Sequence, residues 1–244
     1  MEIAAIIQAR MGSQRLPGKV LKEVLEKPLL QLQIERVARS KYLNSLMVAT
    51  TNNSEDKKII DLCHKLSVPY YCGSETDVLS RYYYAARNAK ADIIVRLTGD
   101  CPLIDSQVID TVIREFLKSY PQVDYVSNTL VRTFPRGMDT SVISFSALEK
   151  SFFEAKNPLD REHVTSFIYL NPKQFKLKNV CYHQEVSYYR LTVDTEEDFF
   201  LIKRIIEGLY GGKPWFTLED IINFLVINPQ FSKINAHVKQ VEIR

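Results

Sequence analysis

The segment 6–19 combines cationic side chains with glycines directly after an apolar run. Its cations and glycines are Arg10, Arg15, Lys19, Gly12 and Gly18. Glycine lets backbone N–H groups approach phosphate oxygens, arginine can donate two hydrogen bonds to one phosphate, and lysine adds a compact charge. The segment therefore predicts a polyphosphate site. The alternative interpretation is a basic surface loop, because short motifs also match by chance.

The loop is not a Walker A motif, and this directs attention to carboxylates. Five residues separate Gly12 from Gly18, and Val20 stands where that motif has the hydroxyl that binds Mg²⁺. Asp100 and Asp194 lie at predicted strand ends, and Mg²⁺ is usually held by one or two carboxylates together with phosphate oxygens and water. We predict Mg²⁺ as the cofactor and these two aspartates as its ligands. Asp100 as a turn residue and Asp194 as a helix N-cap are the alternatives.

The elements that must position these groups are visible in the periodicity. Apolar β-branched runs predict strands at 3–7, 46–50, 68–72, 93–97, 123–126, 140–145 and 186–193. Helical patterns predict helices at 28–41, 55–66, 77–89, 106–118, 147–153, 159–169, 196–209 and 218–225. Ser106 is the expected N-cap of the fourth helix, and 132–139 is predicted to be an extended loop. The early alternation predicts an α/β fold with a mostly parallel central sheet flanked by helices.

Ligands of such sheets bind beyond the carboxyl ends of the strands. This rule places the loop 8–19, Thr50-Thr51-Asn52, Gly73-Ser74 and Gly99-Asp100 at one rim. We predict one domain, 1–244, with a nucleotide-binding half at 1–128, an acceptor and dimerisation lobe at about 129–190, and a closing part at 191–244.

Composition excludes several classes of protein. Hydrophobic residues make up 45% and charged residues 25%, as in ordinary globular chains, and no segment reaches the roughly 20 apolar residues of a membrane span. The net charge of +3 is too small to indicate nucleic acid binding, and the Tyr82–Tyr84 run fits a partly packed helix better than a base-stacking platform. With no basic leader and four cysteines at unrelated spacings, a cytoplasmic protein without zinc or disulfides is expected.

Several segments together resemble the CMP-sugar synthetases, the cytidylyltransferases that activate Kdo and sialic-type acids, and most closely the spore-coat polysaccharide SpsF-like branch. They are 9–19, 73–82, 96–105, Pro135-Arg136-Gly137-Met138-Asp139, 160–164 and Val193-Asp194-Thr195, and they span nearly the whole chain. The resemblance implies a Rossmann-like nucleotide-diphospho-sugar transferase fold of GT-A type and a homodimer. It also implies Mg²⁺-dependent transfer of CMP from CTP to a small anionic sugar-type acceptor, with release of pyrophosphate, for surface polysaccharide or glycan biosynthesis.

The resemblance also assigns residues to roles. The triphosphate is expected on Arg10, Arg15 and Lys19, and the metal on Asp100 and Asp194. Nucleotide binding is expected from the loop, the strand ends and the 74–81 segment: Ala9, Met11, Gly12, Ser13, Thr50, Thr51, Ser74, Asp77, Val78, Arg81, Thr98 and Gly99. Residues Arg136, Asp139, Arg161, Glu162 and His163 would then lie in the lobe that meets the acceptor or the partner subunit. Two further arginines, Arg96 and Arg190, are candidates for acceptor binding from their own chemistry, because a guanidinium suits a carboxylate or a phosphate.

Two other functions compete with this prediction. A glycosyltransferase of the same fold normally carries an Asp-x-Asp metal motif, which Gly99-Asp100-Cys101-Pro102 lacks. A non-catalytic nucleotide-binding module would have little use for both candidate metal carboxylates and the full cationic loop. His163 remains open between a catalytic base and a structural helix-start residue, and Arg96 between an acceptor contact and an ion pair.

Overall fold

A computed structural model describes residues 1–239 of the chain. The strands are β1 (Ile3–Gln8), β2 (Glu23–Val24), β3 (Lys27–Pro28), β4 (Ser45–Thr51), β5 (Tyr70–Gly73), β6 (Ile93–Thr98), β7 (Tyr125–Ser127), β8 (Ser141–Ser144) and β9 (Leu177–Asn179). The helices are α1 (Leu29–Val37), α2 (Lys57–Leu66), α3 (Val78–Asn88), α4 (Ser106–Ser119), α5 (Phe145–Glu154), α6 (Pro158–His163), α7 (Ser166–Tyr169), α8 (Glu196–Leu209), α9 (Leu218–Ile227) and α10 (Pro229–Ser232).

Seven strands form the main sheet in the order β5-β4-β1-β6-β8-β7-β9, and β2 and β3 form a separate hairpin. β5, β4, β1 and β6 are parallel, whereas β8 runs antiparallel to both β6 and β7. The prediction of an α/β fold with a mostly parallel sheet is confirmed. Successive side chains of a strand point to opposite faces of the sheet, so the core has two layers. In β1, Ile3, Ala5 and Ile7 face one layer of helices, and Ala4 and Ile6 face the other.

Most predicted elements match the structure within a few residues, including the later helices at 147–153, 196–209 and 218–225, but a few need correction. Residues 186–193 form no strand, and their pairing is one isolated bridge between Arg136 and Arg190. Val186, Leu191 and Val193 are buried, but Arg190 and Thr192 are buried as well, so burial does not alternate along this segment. Its apolar residues pack into the core without a ladder of backbone hydrogen bonds, and this burial, rather than strand pairing, explains the apolar pattern.

Two further corrections concern helix boundaries. The predicted helix 159–169 is divided into α6 and α7, because Val164 has a φ of 65° and ends the first of them. Asp105, not Ser106, caps α4, since its carboxylate accepts a hydrogen bond from the Gln107 N–H and a second from the Leu218 N–H. The second bond joins two distant segments, which local sequence does not reveal. The three-residue strand β9 was also missed.

The division into a nucleotide-binding half, a lobe and a closing part stays a prediction, and residues 240–244 of the closing part lie outside the described residues. No helix within residues 1–239 has the length and apolar character that crossing a membrane requires.

Gly137 provides a test of how the 128–140 loop is held against residues 190–192. Its φ is +101°, and a Cβ added there would lie 2.4 Å from the Leu191 carbonyl oxygen. We expect Gly137→Ala to lower the free energy of unfolding by about 3 kcal/mol, through backbone strain and overlap. Gly211→Ala is the control, because its Cβ would meet nothing within 4 Å, and a change below about 0.5 kcal/mol is expected. Equal effects in urea unfolding would contradict this account.

Candidate active site

A cavity of about 640 Å³ opens at the carboxyl edge of the sheet. Most of the predicted site residues line it: Ala9, Arg10, Ser13, Arg15, Lys19, Val78, Arg81, Arg96, Thr98, Gly99, Asp100, Glu162, His163 and Asp194. Gln8, Gln14, Val20, Glu75 and Thr76 also line it without having been singled out, although all but Val20 fall inside segments that the sequence marked. The ends of β1 and β6 and the start of α3 thus meet at one place, as parallel strands require.

Lys19 joins the two candidate metal carboxylates. Its ammonium lies 2.8 Å from Asp194 Oδ1 and 3.5 Å from Asp100 Oδ2, and it donates a hydrogen bond of 2.7 Å to the Val193 carbonyl. The Lys19 side chain is 12% exposed and that of Asp194 is 13% exposed. Charges so far from solvent need close partners of opposite sign, so the lysine holds both carboxylates at one point of the cavity.

Asp194 receives two further cations. Arg15 Nη2 lies 3.0 Å from its Oδ2, and Arg190 Nη2 donates to the same oxygen at 2.6 Å. Burial opposes the charge of Asp194, but Lys19, Arg15 and Arg190 outweigh it and lower the pKa of this carboxyl. Burial likewise opposes the charge of Lys19, yet Asp100 and Asp194 raise its pKa. The pair contributes to stability throughout neutral pH, and this contribution is lost only as pH falls through the lowered pKa or rises through the raised one.

Asp100 is tied to the same segment by its backbone. Its carbonyl accepts hydrogen bonds from the Val193 N–H at 2.8 Å and from the Thr192 hydroxyl at 3.1 Å. One oxygen of its carboxylate accepts a hydrogen bond from the Thr98 hydroxyl. The two aspartates, far apart in sequence, are therefore neighbours through both backbone and side-chain contacts. Cys101 beside them is buried, and burial, followed by the charges of Asp100 and Asp139, raises the pKa of its thiol well above its usual value.

Asp56, a buried carboxylate that is 1% exposed, connects the cationic loop to the end of β4 through hydrogen bonds. Its Oδ1 accepts a hydrogen bond of 2.7 Å from the Met11 N–H. Its Oδ2 accepts from the N–H and the hydroxyl of Thr51 at the end of β4. The Met11 carbonyl in turn accepts from the N–H groups of Ser13 and Gly18, so the loop folds around this residue. Gly18 has a φ of +70°, which favours glycine.

Asp56 was not identified from the sequence, because an acidic residue in the first turn of a helix is ordinary. Its role becomes visible only when the loop and the end of β4 are placed beside each other. A second acid, Glu75, accepts from Arg10 Nη1 at 3.1 Å and from Asn53 Nδ2 at 2.7 Å. The two carboxylates thus hold the loop from two sides.

Two arginines line the cavity with unsatisfied donors. Arg81 is 2% exposed, and its Nη1 donates to the Ser74 carbonyl at 2.7 Å. Arg96 donates to Gln8 Oε1 at 3.4 Å and lies over the ring of Tyr82. The Nε atoms of both arginines are buried and have no hydrogen-bond acceptor among residues 1–239. Unpaired buried donors cost free energy, so these two arginines are held in place at a cost that the surrounding packing must offset.

Other predicted site residues do not line the cavity. They are Met11, Gly12, Thr50, Thr51, Ser74, Asp77, Arg136, Asp139, Arg161 and Arg190. Several of them have contacts elsewhere: Asp77 caps α3 and pairs with Arg161, Asp139 pairs with Arg132, and Arg190 pairs with Asp194 and Asp198. Their predicted binding roles stay predictions, and the observed contacts are structural.

A family model described as cytidylyltransferase matches residues 4–217. The chain belongs to the cytidylyltransferase family. It is 40% identical over 249 aligned positions to an uncharacterized protein of Methanocaldococcus jannaschii, covering 100% of this chain and 98% of that protein. It is 32% identical to the spore coat polysaccharide biosynthesis protein SpsF of Bacillus subtilis, covering 93% of this chain and 95% of SpsF.

A solved cytidylyltransferase from Leptospira borgpetersenii is similar in structure, with a TM-score of 0.92, 35% identity and 99% of each chain covered. The resemblance inferred from the sequence is confirmed, and so is the nucleotidyltransferase fold. This cytidylyltransferase is a CTP-dependent nucleotidyltransferase, and its cavity is the place in the described structure where the cationic loop and the candidate metal carboxylates meet.

The role of Asp56 in this cytidylyltransferase can be tested by Asp56→Asn. An amide cannot accept all the hydrogen bonds of the carboxylate, so one of the Met11 and Thr51 donors is left unsatisfied. We expect the free energy of unfolding to fall by about 2 kcal/mol and CTP affinity to fall about tenfold, because the loop loses its anchor. Urea unfolding and calorimetric titration with CTP measure these changes. The exposed Asp61→Asn on α2 is the matched control, and an unchanged CTP affinity in Asp56→Asn would exclude the anchoring role.

Proposed function

We propose that this cytidylyltransferase transfers CMP from CTP to a small anionic sugar-type acceptor and releases pyrophosphate, with Mg²⁺ as its cofactor. The observation that carries the proposal is the meeting of Asp100, Asp194 and Lys19 beside the cationic loop in one cavity. SpsF is named for spore coat polysaccharide biosynthesis, and this supports a role of the CMP-activated product in surface polysaccharide or glycan synthesis.

The donor set fits Mg²⁺. Asp100 and Asp194 present hard oxygens that converge on one cationic group, the Lys19 ammonium, so this point of the cavity favours a cation. No cluster of three or more His, Cys, Asp or Glu side chains suited to a metal occurs within residues 1–239. Two carboxylates leave coordination positions for phosphate oxygens and water, the usual arrangement for Mg²⁺. When bound, Mg²⁺ would supply charge stabilisation at the phosphate oxygens.

The chain's own cations would bind and orient the triphosphate. Arg10 and Arg15 are 40% and 39% exposed, so their guanidinium groups can turn from Glu75 and Asp194 toward a ligand. Lys19 would exchange its carboxylate partners for phosphate oxygens. Nucleotidyl transfer is an in-line displacement in which the acceptor oxygen attacks the α-phosphorus and pyrophosphate leaves. The main contribution of these side chains is thus positioning and stabilisation of the charge that develops.

The acceptor would bind where Arg96, Glu162 and His163 line the cavity. Arginine suits a carboxylate or a phosphate, because it can donate two parallel hydrogen bonds to either. Assays of CTP-dependent pyrophosphate release over sugar acids and over sugar or polyol phosphates identify the acceptor class. A catalyst releases pyrophosphate with at least one member of the panel. CTP binding without release across the whole panel would support a non-catalytic module instead.

A homodimer and a cytoplasmic location complete the proposal. The lobe exposes large apolar side chains at Val131 and Tyr188, which are 63% and 70% exposed. A contact between subunits through the lobe would bury these two side chains, which makes them the positions at which to test it. Light scattering of the purified protein at several concentrations measures the mass directly.

Removal of either candidate metal ligand should abolish metal-dependent turnover. We expect Asp100→Asn and Asp194→Asn to lower kcat at least 100-fold, equivalent to about 3 kcal/mol of lost transition-state stabilisation. Pyrophosphate release across a Mg²⁺ titration is the measurement, with circular dichroism to establish folding and Asp61→Asn as control. Near-normal turnover in either folded variant would remove that residue from the metal site.

Lys19→Ala should mainly lower kcat. A cation near a transferring phosphate stabilises the transition state more than the bound substrate, so rate is lost rather than affinity. We expect a fall of about 100-fold in kcat, with a smaller change in the KM for CTP. Steady-state kinetics separate the two parameters. A rise in KM alone would assign Lys19 to uniform substrate binding.

A further inference from the structure

Beneath Asp194 lies a buried polar network that the cavity does not contain. Its members are Arg190, Asp198 and Asn235, which are 7%, 0% and 2% exposed. Asp198 accepts hydrogen bonds from Arg190 Nε at 2.9 Å and from Asn235 Nδ2 at 2.8 Å. Asn235 Nδ2 also donates to the Arg190 carbonyl at 3.0 Å. Such a buried, interconnected network restricts the conformations of every group it contains.

The network reaches Asp194 from two directions. Arg190 Nη2 donates at 2.6 Å to Asp194 Oδ2 and at 3.1 Å to Asp198 Oδ2, so one guanidinium links the two carboxylates. The Asp194 N–H donates to the same Asp198 oxygen at 2.9 Å. Both the backbone and the side chain of Asp194 are therefore held by groups that lie below it.

Helix capping alone does not require this arrangement. Asp198 forms a capping box with Thr195 at the start of α8, and Asp220 forms the same box with Thr217 at the start of α9. At α9 the acid pairs with Lys213, whose side chain is 58% exposed. At α8 the acid has in addition a buried arginine and a buried asparagine as partners. The additional partners are found at the helix that follows the candidate metal ligand.

Asn235 comes from the closing part of the chain, outside the residues 4–217 that the family model matches. Its two hydrogen bonds fix the Asp198 carboxylate and the Arg190 backbone together. Without them, the Asp198 carboxylate and the Arg190 carbonyl each lose the Asn235 donor, so the carboxylate that binds both the Arg190 guanidinium and the Asp194 N–H is less fixed in position.

We propose that Asn235, acting through Asp198 and Arg190, is a positioning residue for the metal ligand Asp194, which makes the C-terminal segment a working part of the active site. The proposal rests on the proposed function, in which Asp194 binds Mg²⁺. Arg190, expected from the sequence to bind the acceptor, then has a different role, the orientation of a ligand carboxylate. Partners of metal ligands typically change metal affinity 10-fold to 100-fold when they are removed.

The test compares Asn235→Ala with Asn228→Ala, a matched substitution in the same segment. The Asn228 amide donates to the Phe224 carbonyl and lies outside the network. Binding of Mn²⁺ in the presence of CTP is followed by electron paramagnetic resonance of the free ion, and the Mn²⁺ bound by the same concentration of CTP without protein is subtracted, which gives the metal affinity of the protein without turnover. The Mg²⁺ concentration at half-maximal pyrophosphate release gives a second, kinetic value. Thermal unfolding reports the stability of each variant, and all binding is measured well below the lowest midpoint.

For Asn235→Ala we expect about tenfold weaker Mn²⁺ binding and about tenfold higher half-saturating Mg²⁺, with kcat at saturating Mg²⁺ reduced less than the affinity. Asn235→Ser keeps one donor and should give an intermediate shift, which also serves if the alanine variant does not fold. Asn228→Ala should stay within twofold of the unsubstituted protein. A lower thermal midpoint with unchanged metal affinity in both Asn235 variants would show a purely structural role and overturn the inference. Absence of CTP-dependent Mn²⁺ binding in the unsubstituted protein would overturn the proposed function itself, and the inference with it.

Discussion

The ion pairs of Asp194 are the contacts on which the arrangement of the site depends. Lys19 and Arg15 come from the loop after the first strand, and Arg190 comes from the segment before the last long helices. A buried carboxylate is tolerated only with such partners, so the loop after β1 and the segment before α8 must meet for the fold to be stable. The same requirement brings Asp194 next to Asp100, the pair of aspartates that the proposed function assigns to Mg²⁺.

Two groups of contacts surround Asp194 and the cationic loop, one on the cavity side and one buried below them. On the cavity side, the proposed function requires a polyphosphate to replace the carboxylate partners of Arg10 and Arg15, which are 40% and 39% exposed, and of Lys19, which is 12% exposed. Below it, Asp56 and Asp198 accept hydrogen bonds from backbone N–H groups in buried contacts. In the proposed function, binding would therefore rearrange charges in the cavity while the loop and Asp194 keep their places.

The sequence prediction succeeded where an apolar pattern coincides with a helix or a paired strand. It failed where apolar residues are buried without forming either. The parallel strands and their helices were predicted within a few residues, because β-branched runs and amphipathic spacing act locally. Residues 186–193 have the apolar and β-branched residues of a strand, yet they pair through one bridge, to Arg136, and form no ladder. Likewise, Ser106 is a reasonable cap in isolation, but Asp105 also reaches Leu218 N–H across the fold.

By itself, the sequence determined the fold class, the family, the cationic loop and the two candidate metal carboxylates, because these depend on residue types in order along the chain. Only the tertiary structure decided that Lys19 joins those carboxylates, that Asp56 anchors the loop, and that Arg190 pairs with Asp194 and Asp198. The contacts of Lys19 and Asp56 link residues far apart in sequence, whereas Arg190 pairs with near neighbours that the fold encloses. Burial makes all of these contacts strong by removing water as a competing partner. No local pattern carries information about which distant charges will be enclosed together.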